Sequence, residues 1–226
     1  MLWSPNTQLH YPFQNTALDY SGNARHGTVN GTGAYATKPN GSRCLYFDGV
    51  GDYVTTPSFG LTGTVVVFAA DIRCQLHAAV TQHLLSDYAQ STTVGFLQSA
   101  RRANLNTLRW LYADGAAIGT ADATGYFTTP FNDTWLHLCI IADYTGKNCY
   151  FYRDGILYAT VGMTGTPVFP STARIKYVGA YSGAGDFLLT TGYLQNVYLG
   201  TLATMPAAGQ MLANVNRLML GMNPIW

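Results

Sequence analysis

The stretch Trp135-Leu136-His137-Leu138-Cys139-Ile140-Ile141-Ala142-Asp143-Tyr144-Thr145-Gly146-Lys147-Asn148-Cys149-Tyr150-Phe151-Tyr152-Arg153-Asp154-Gly155-Ile156 decides the fold. Leu136, Leu138 and Ile140 share one side of an extended chain, and His137 and Cys139 the other, because successive side chains on a strand point to opposite faces. Both sides are rather apolar, as in an inner strand covered on both faces. Asp143–Asn148 is a turn between two such runs, and Asp154-Gly155 is a type I′ hairpin signal between the second run and a third. The segment therefore reads as three consecutive antiparallel strands.

Working outward, short alternating runs bounded by Gly, Asn, Asp and Pro recur along the chain. They place strands at Leu9–Phe13, Arg43–Asp48, Asp52–Thr55, Thr64–Arg73, Val94–Gln98, Thr107–Ala113, Trp135–Asp143, Cys149–Arg153, Ile156–Val161, Arg174–Val178 and Gly192–Leu199. One helix is expected over Ala207–Arg217, capped by Thr204, with Pro206 in its first turn and Met211, Leu212, Val215 and Leu218 on its apolar stripe. No repeat or linker divides the 226 residues, so 1–226 is expected to be one domain.

Composition agrees. Charged residues make up 10% of the chain, against roughly 25% in an average soluble domain, and every acid is Asp. The scarcity of Lys and the absence of Glu disfavour helices and leave a surface of neutral polar groups. A net charge of +1 gives no electrostatic footprint for nucleic acid. No apolar run is long enough for a membrane-spanning helix. Cys44, Cys74, Cys139 and Cys149 lack zinc-ligand spacing and are expected to be free, buried thiols. The N-terminus has no secretory-signal pattern, so synthesis in the cytoplasm is expected.

Five segments in order resemble the laminin G-like jelly-roll domains of the concanavalin A-like lectin and glucanase superfamily. They are Asp19-Tyr20-Ser21-Gly22-Asn23-Ala24-Arg25-His26-Gly27, Phe47-Asp48-Gly49-Val50-Gly51-Asp52-Tyr53-Val54, the long run Thr64–Ile72, the pair Trp135–Ile140 with Tyr150–Gly155, and Gly192–Tyr198 followed by Leu202–Asn214. The resemblance implies an all-β fold, a two-sheet antiparallel jelly-roll sandwich with one short C-terminal helix. It also implies a structural calcium ion near Asp19 and Asn23; the alternatives are no cofactor and a plain Asx turn.

Three functions follow as expectations. The first is a non-enzymatic structural protein of a bacteriophage particle, a capsid decoration or tail-associated subunit in the virion, made in the host cytoplasm. Such domains without signal peptides are common there, and the apolar ends offer Trp3, Ile225 and Trp226 as docking residues toward other virion proteins or a second copy. The second is a free carbohydrate-binding module that recognises a cell-surface glycan, with Trp110, Tyr112, Tyr181 and Asp186 as ligand-binding candidates and Tyr88 and Gln98 nearby; packing of Trp110 and Tyr112 inside the sandwich is the competing reading. The third is a glycoside hydrolase, which needs two opposed carboxylates. The only close Asp pair, Asp48 and Asp52, is accounted for by turn formation, so no enzyme is expected. Trp135 is expected in the core.

Overall fold

A computed structural model describes residues 6–74, 81–87, 93–101, 106–127, 134–182, 185–187, 192–222 and 224–225. In chain order the strands are β1 (Thr7–Tyr11), β2 (Thr28–Asn30), β3 (Ala34–Thr37), β4 (Arg43–Phe47), β5 (Tyr53–Thr55), β6 (Val65–Cys74), β7 (Gln82–Ser86), β8 (Leu97–Arg101) and β9 (Leu108–Ala113). They continue with β10 (Ile118–Ala123), β11 (Leu136–Asp143), β12 (Asn148–Arg153), β13 (Ile156–Gly162), β14 (Tyr177–Val178), β15 (Ala180–Ser182), β16 (Gly185–Phe187) and β17 (Gly192–Leu202), and helix α1 (Ala208–Met219) follows.

The strands form a two-sheet antiparallel β-sandwich. The larger sheet has the order β13-β12-β11-β6-β17-β4-β3, with β1 also paired to β17; the smaller has the order β10-β9-β8-β7-β14-β5-β2. β15 and β16 pair as a separate hairpin. Alternation sends Val66, Phe68, Ala70, Leu138, Ile140, Phe151, Leu194 and Leu199 inward, where they meet Leu85, Leu97, Trp110 and Tyr112 of the smaller sheet in one continuous core.

The small sheet accommodates its aromatics by size matching. Gly119 pairs with Tyr112, Ala121 with Trp110 and Ala123 with Leu108, and a Cβ added at Gly119 would collide with the Tyr112 ring. This is why Ile118–Ala123, with few strand-favouring residues, is nevertheless a strand: its small side chains make room for their neighbours.

The outward side of the larger sheet is split. Val65, Val67, Ala69, Cys139, Ile141, Tyr198 and Leu202 form an apolar half, covered by Met211, Val215 and Leu218 of α1. The helix differs from expectation in detail. Its N-cap is Ala207 with no side-chain cap, Leu212 is exposed, and the buried stripe includes Asn214. Asn214 has a use: its Nδ2 donates to Gln210 O, and its Oδ1 accepts the Ile225 amide, tying the chain end to the helix. All four cysteines are free and buried. Cys149 faces the inner core and Cys139 the outward apolar half.

Candidate functional site

The other half of that outward face is polar and aromatic, and the strand register builds it in two rows. In the first row Tyr46 pairs with Tyr193, and Tyr193 with Arg73. The two tyrosine rings lie 5.0 Å apart, and the Arg73 guanidinium sits 5.3 Å from the Tyr193 ring. In the second row Gln195 pairs with Asp71, and Asp71 with His137. Trp135 stands at the entry to β11. Its ring is 6.1 Å from Tyr193, and the Lys38 ammonium lies 3.9 Å from its centre.

The expectation that Trp135 lies in the core is corrected. Leu136, Leu138 and Ile140 occupy the inward phase of β11, so residues 135 and 137 take the outward one. Trp135 is half-buried there.

Between the rows and the end of α1 is a pocket of about 220 Å³ lined by Lys38, Asp71, Trp135, Leu136, His137, Asp154 and Met219. Its polar groups are held firmly. His137 Nδ1 lies 2.8 Å from Asp71 Oδ1, and Asp71 Oδ2 accepts the Asn196 side-chain amide at 2.7 Å. The carboxylate partner assigns a proton to Nδ1. The His137 backbone amide donates to Asp154 Oδ1 at 2.8 Å, and the Lys38 ammonium donates to Gln195 Oε1 at 2.7 Å. Two buried nitrogens, Trp135 Nε1 and His137 Nε2, have no hydrogen-bond partner among the described residues. A buried polar atom left this way costs roughly 1–3 kcal/mol.

Asn196 has φ of +50° and is the extra residue of a β-bulge, since β17 slips register against β6 between Gln195 and Tyr198. Bulges re-aim side chains, and this one sends the Asn196 amide to Asp71. Sequence reading missed Asp71, Lys38, His137 and Asp154 as a group. The usable signal was Asp71 and Arg73, two charges in the outward phase of an otherwise apolar strand.

The residues singled out from sequence are placed elsewhere. Trp110 and Tyr112 have 0% exposure and face the core, so they cannot stack on a sugar; this corrects their assignment to a binding surface. Tyr181 packs 5.0 Å from His83 beside the smaller sheet, on the opposite side of that sheet from Trp110. Asp186 belongs to β16, its side chain lying outside the described residues, as do Tyr88, Trp3 and Trp226. Gln98 is buried against His83. Ile225 is 64% exposed.

At the expected calcium loop, Asp19 Oδ1 accepts the His10 and Ser21 amides (3.0 and 2.9 Å), and Oδ2 accepts the Ser21 hydroxyl and the Arg25 amide (2.7 and 2.9 Å). Asn23 Nδ2 donates to Thr7 O at 2.9 Å and Ser21 Oγ at 3.0 Å. Asp19 thus anchors a turn with both oxygens engaged. Among the described residues no three His, Cys, Asp or Glu side chains gather as a metal site. The Asp48–Asp52 pair is likewise a turn: Asp52 Oδ2 accepts the Asp48 amide, and Thr32 bonds both carboxylates.

No protein-family model matches the chain, and no curated protein matches it. Solved structures do. Domain 4 of AbnA, a GH43 extracellular arabinanase from Geobacillus stearothermophilus, in complex with arabinotriose, superposes with a TM-score of 0.69 at 16% identity, over 95% of this chain and 98% of that one. The receptor-binding domain of botulinum neurotoxin mosaic serotype C/D gives 0.68 at 10%, over 96% and 51%. The ligand-binding domain of botulinum neurotoxin serotype D in complex with N-acetylneuraminic acid gives 0.67 at 11%, over 96% and 51%. The chain spans about half the length of the neurotoxin domains. At these identities the likeness establishes the fold.

Proposed function

We propose that this domain is a non-catalytic glycan-binding module, and that its binding surface is the open polar–aromatic half of the larger sheet. The observation that carries the reading is the row Tyr46–Tyr193–Arg73 with Trp135 and Lys38 beside it: half-buried aromatics and cations on paired strands, bordering a pocket with hydrogen-bonding groups. Sugars are held by apolar ring contact combined with a few placed polar groups. Rigid strands place such groups more accurately than loops do. Two solved structures of the same fold were captured with saccharides, arabinotriose in one and N-acetylneuraminic acid in the other.

The pocket's carboxylates support binding without hydrolysis. Asp71 has both oxygens engaged by His137 and Asn196, and Asp154 supports the His137 amide. Glycoside hydrolysis needs one carboxyl free to act as acid and another as base or nucleophile. Affinity electrophoresis of the full chain in gels containing soluble polysaccharides tests the reading. Retardation without release of reducing ends is expected; no retardation in any polymer, or cleavage of one, overturns it.

A second reading concerns where the module works. Leu220, Met222 and Ile225 cluster in sequence after α1 and are exposed, a pattern that suits docking onto another protein. On this reading the domain is a virion component, made in a host cytoplasm, and the glycan lies on a cell surface. Finding the chain in purified particles supports it; a free monomer absent from particles sinks it. No helix among the described residues is long and apolar enough to cross a membrane.

A further inference from the structure

The two unpaired nitrogens of the pocket differ in kind, and the difference specifies a ligand group. Trp135 Nε1 carries a hydrogen and can only donate. His137 Nδ1 is committed to Asp71, which Asn196 holds in place at 2.7 Å. With Nδ1 donating to Asp71, the uncharged form of the ring presents Nε2 as an acceptor. Trp135 directly precedes β11 and His137 is its second residue, so the two point to the same side. Both line the pocket, and both nitrogens are buried and unpartnered among the described residues. A carboxylate or sulfate can satisfy the donor but not the acceptor. An ammonium can satisfy the acceptor but not the donor. A hydroxyl does both.

We infer that this pocket is a recognition subsite for an uncharged sugar, read through one hydroxyl that accepts from Trp135 Nε1 and donates to His137 Nε2. The inference rests on the glycan-binding reading and names the class of sugar. Its size agrees: about 220 Å³ is below the roughly 300–1,000 Å³ of sites that enclose a drug-sized ligand, so it takes one ring of a longer chain, with the Tyr46–Tyr193 row left for its neighbour. Lys38 forms the adjustable wall. Its ammonium lies over one face of the Trp135 indole and bonds Gln195, so Trp135 contributes its edge rather than a stacking face.

Calorimetric titration of the full chain with neutral arabino- and galacto-oligosaccharides and with oligogalacturonides tests this. Trp135→Phe keeps an aromatic ring at the position but removes the N–H together with part of the indole; His137→Phe removes the acceptor. Tyr177→Ala, on the outward face of the smaller sheet, is the control. A neutral oligosaccharide is expected to bind, with affinity reduced tenfold or more by Trp135→Phe and by His137→Phe and unchanged by Tyr177→Ala. The Trp135→Phe result stands alone should His137→Phe not fold. Preference for the galacturonides overturns the hydroxyl assignment. Neutral binding that survives Trp135→Phe but fails in Tyr177→Ala overturns the site and leaves the glycan reading standing; no saccharide binding at all overturns both.

Discussion

Lys176 Nζ and Asp87 Oδ2 face each other at 3.3 Å with neither side chain reaching solvent. The ammonium also donates to Phe59 O at 2.9 Å and Arg174 O at 3.3 Å, and Asp87 Oδ1 accepts the Leu97 amide at 2.9 Å. Burial pushes the Lys176 pKa down and the Asp87 pKa up, against their mutual attraction. Such a pair is costly to break and nearly neutral to replace. Lys176→Met is expected to lose about 3–5 kcal/mol by leaving a buried charge alone. The double variant Lys176→Met with Asp87→Leu should recover most of it. A denaturant double-mutant cycle showing simple additivity would refute the coupling.

His10, on β1, gives a pH dependence of definite sign. Burial lowers its pKa from 6.5 to about 4, partly opposed by Asp19. The unfolded chain therefore binds the proton more readily than the native one. The stability tied to the neutral ring is present above pH 6.5 and is lost as pH falls toward 4. The shift corresponds to about 3 kcal/mol in full. Stability measured from pH 7 to 4 should fall more steeply in the parent chain than in His10→Gln; equal slopes would count against it.

Trp110→Ala separates core from ligand. Truncating this fully buried ring should cost about 3–5 kcal/mol of stability, while the folded fraction keeps its saccharide affinity. A stable Trp110→Ala protein that has lost binding would return this residue to the ligand surface.

The Asp19 turn predicts a melt indifferent to calcium, because the carboxylate already accepts four bonds. Asp19→Ala should cost about 3 kcal/mol, given that hydrogen bonds to charged groups are worth roughly 1.5–3 kcal/mol each and the partners partly relax. A melting temperature that rises in calcium relative to chelator would make the loop a metal site after all.

A chain ending at Gly221 should still fold. The segment it lacks gives the domain two described hydrogen bonds, from the Met222 amide to Arg217 O and from the Ile225 amide to Asn214, whose loss costs about 2 kcal/mol. On the virion reading the shortened chain is excluded from particles; equal incorporation would assign the tail no docking role.

Most of the sandwich was readable because its central strands are apolar runs bounded by turn residues: Val65–Cys74, Leu136–Asp143 and Asn148–Arg153 fall within a residue or two of expectation. Val94–Gln98 was misplaced, the strand being Leu97–Arg101. Thr28–Asn30, Ala34–Thr37, Gln82–Ser86 and Ile118–Ala123 were missed, because short or small-residue strands are stabilised by their neighbours rather than by their own pattern. The pocket was harder to read. Lys38, Asp71, His137 and Asp154 come from separate segments brought together by register, and the one local mark is the charge of Asp71 and Arg73 on an otherwise apolar strand. Aromatic pairs such as Trp110 and Tyr112 are equally apt for a core or a binding face; only the small residues opposite them settle which.

The bulge in β17 has a consequence for how the molecule can vary. Leu194 points inward and Gln195 outward, and beyond the bulge Val197 points inward and Tyr198 outward. The alternation therefore continues as though Asn196 were not there. The residue falls where β17 changes its neighbour from β4 to β1. One position thus serves the pocket while standing outside the pattern the sheet obeys. On the glycan-binding reading, recognition is open to retuning there by substitution, or to removal by a one-residue deletion, with every inward and outward side chain of the strand keeping its side.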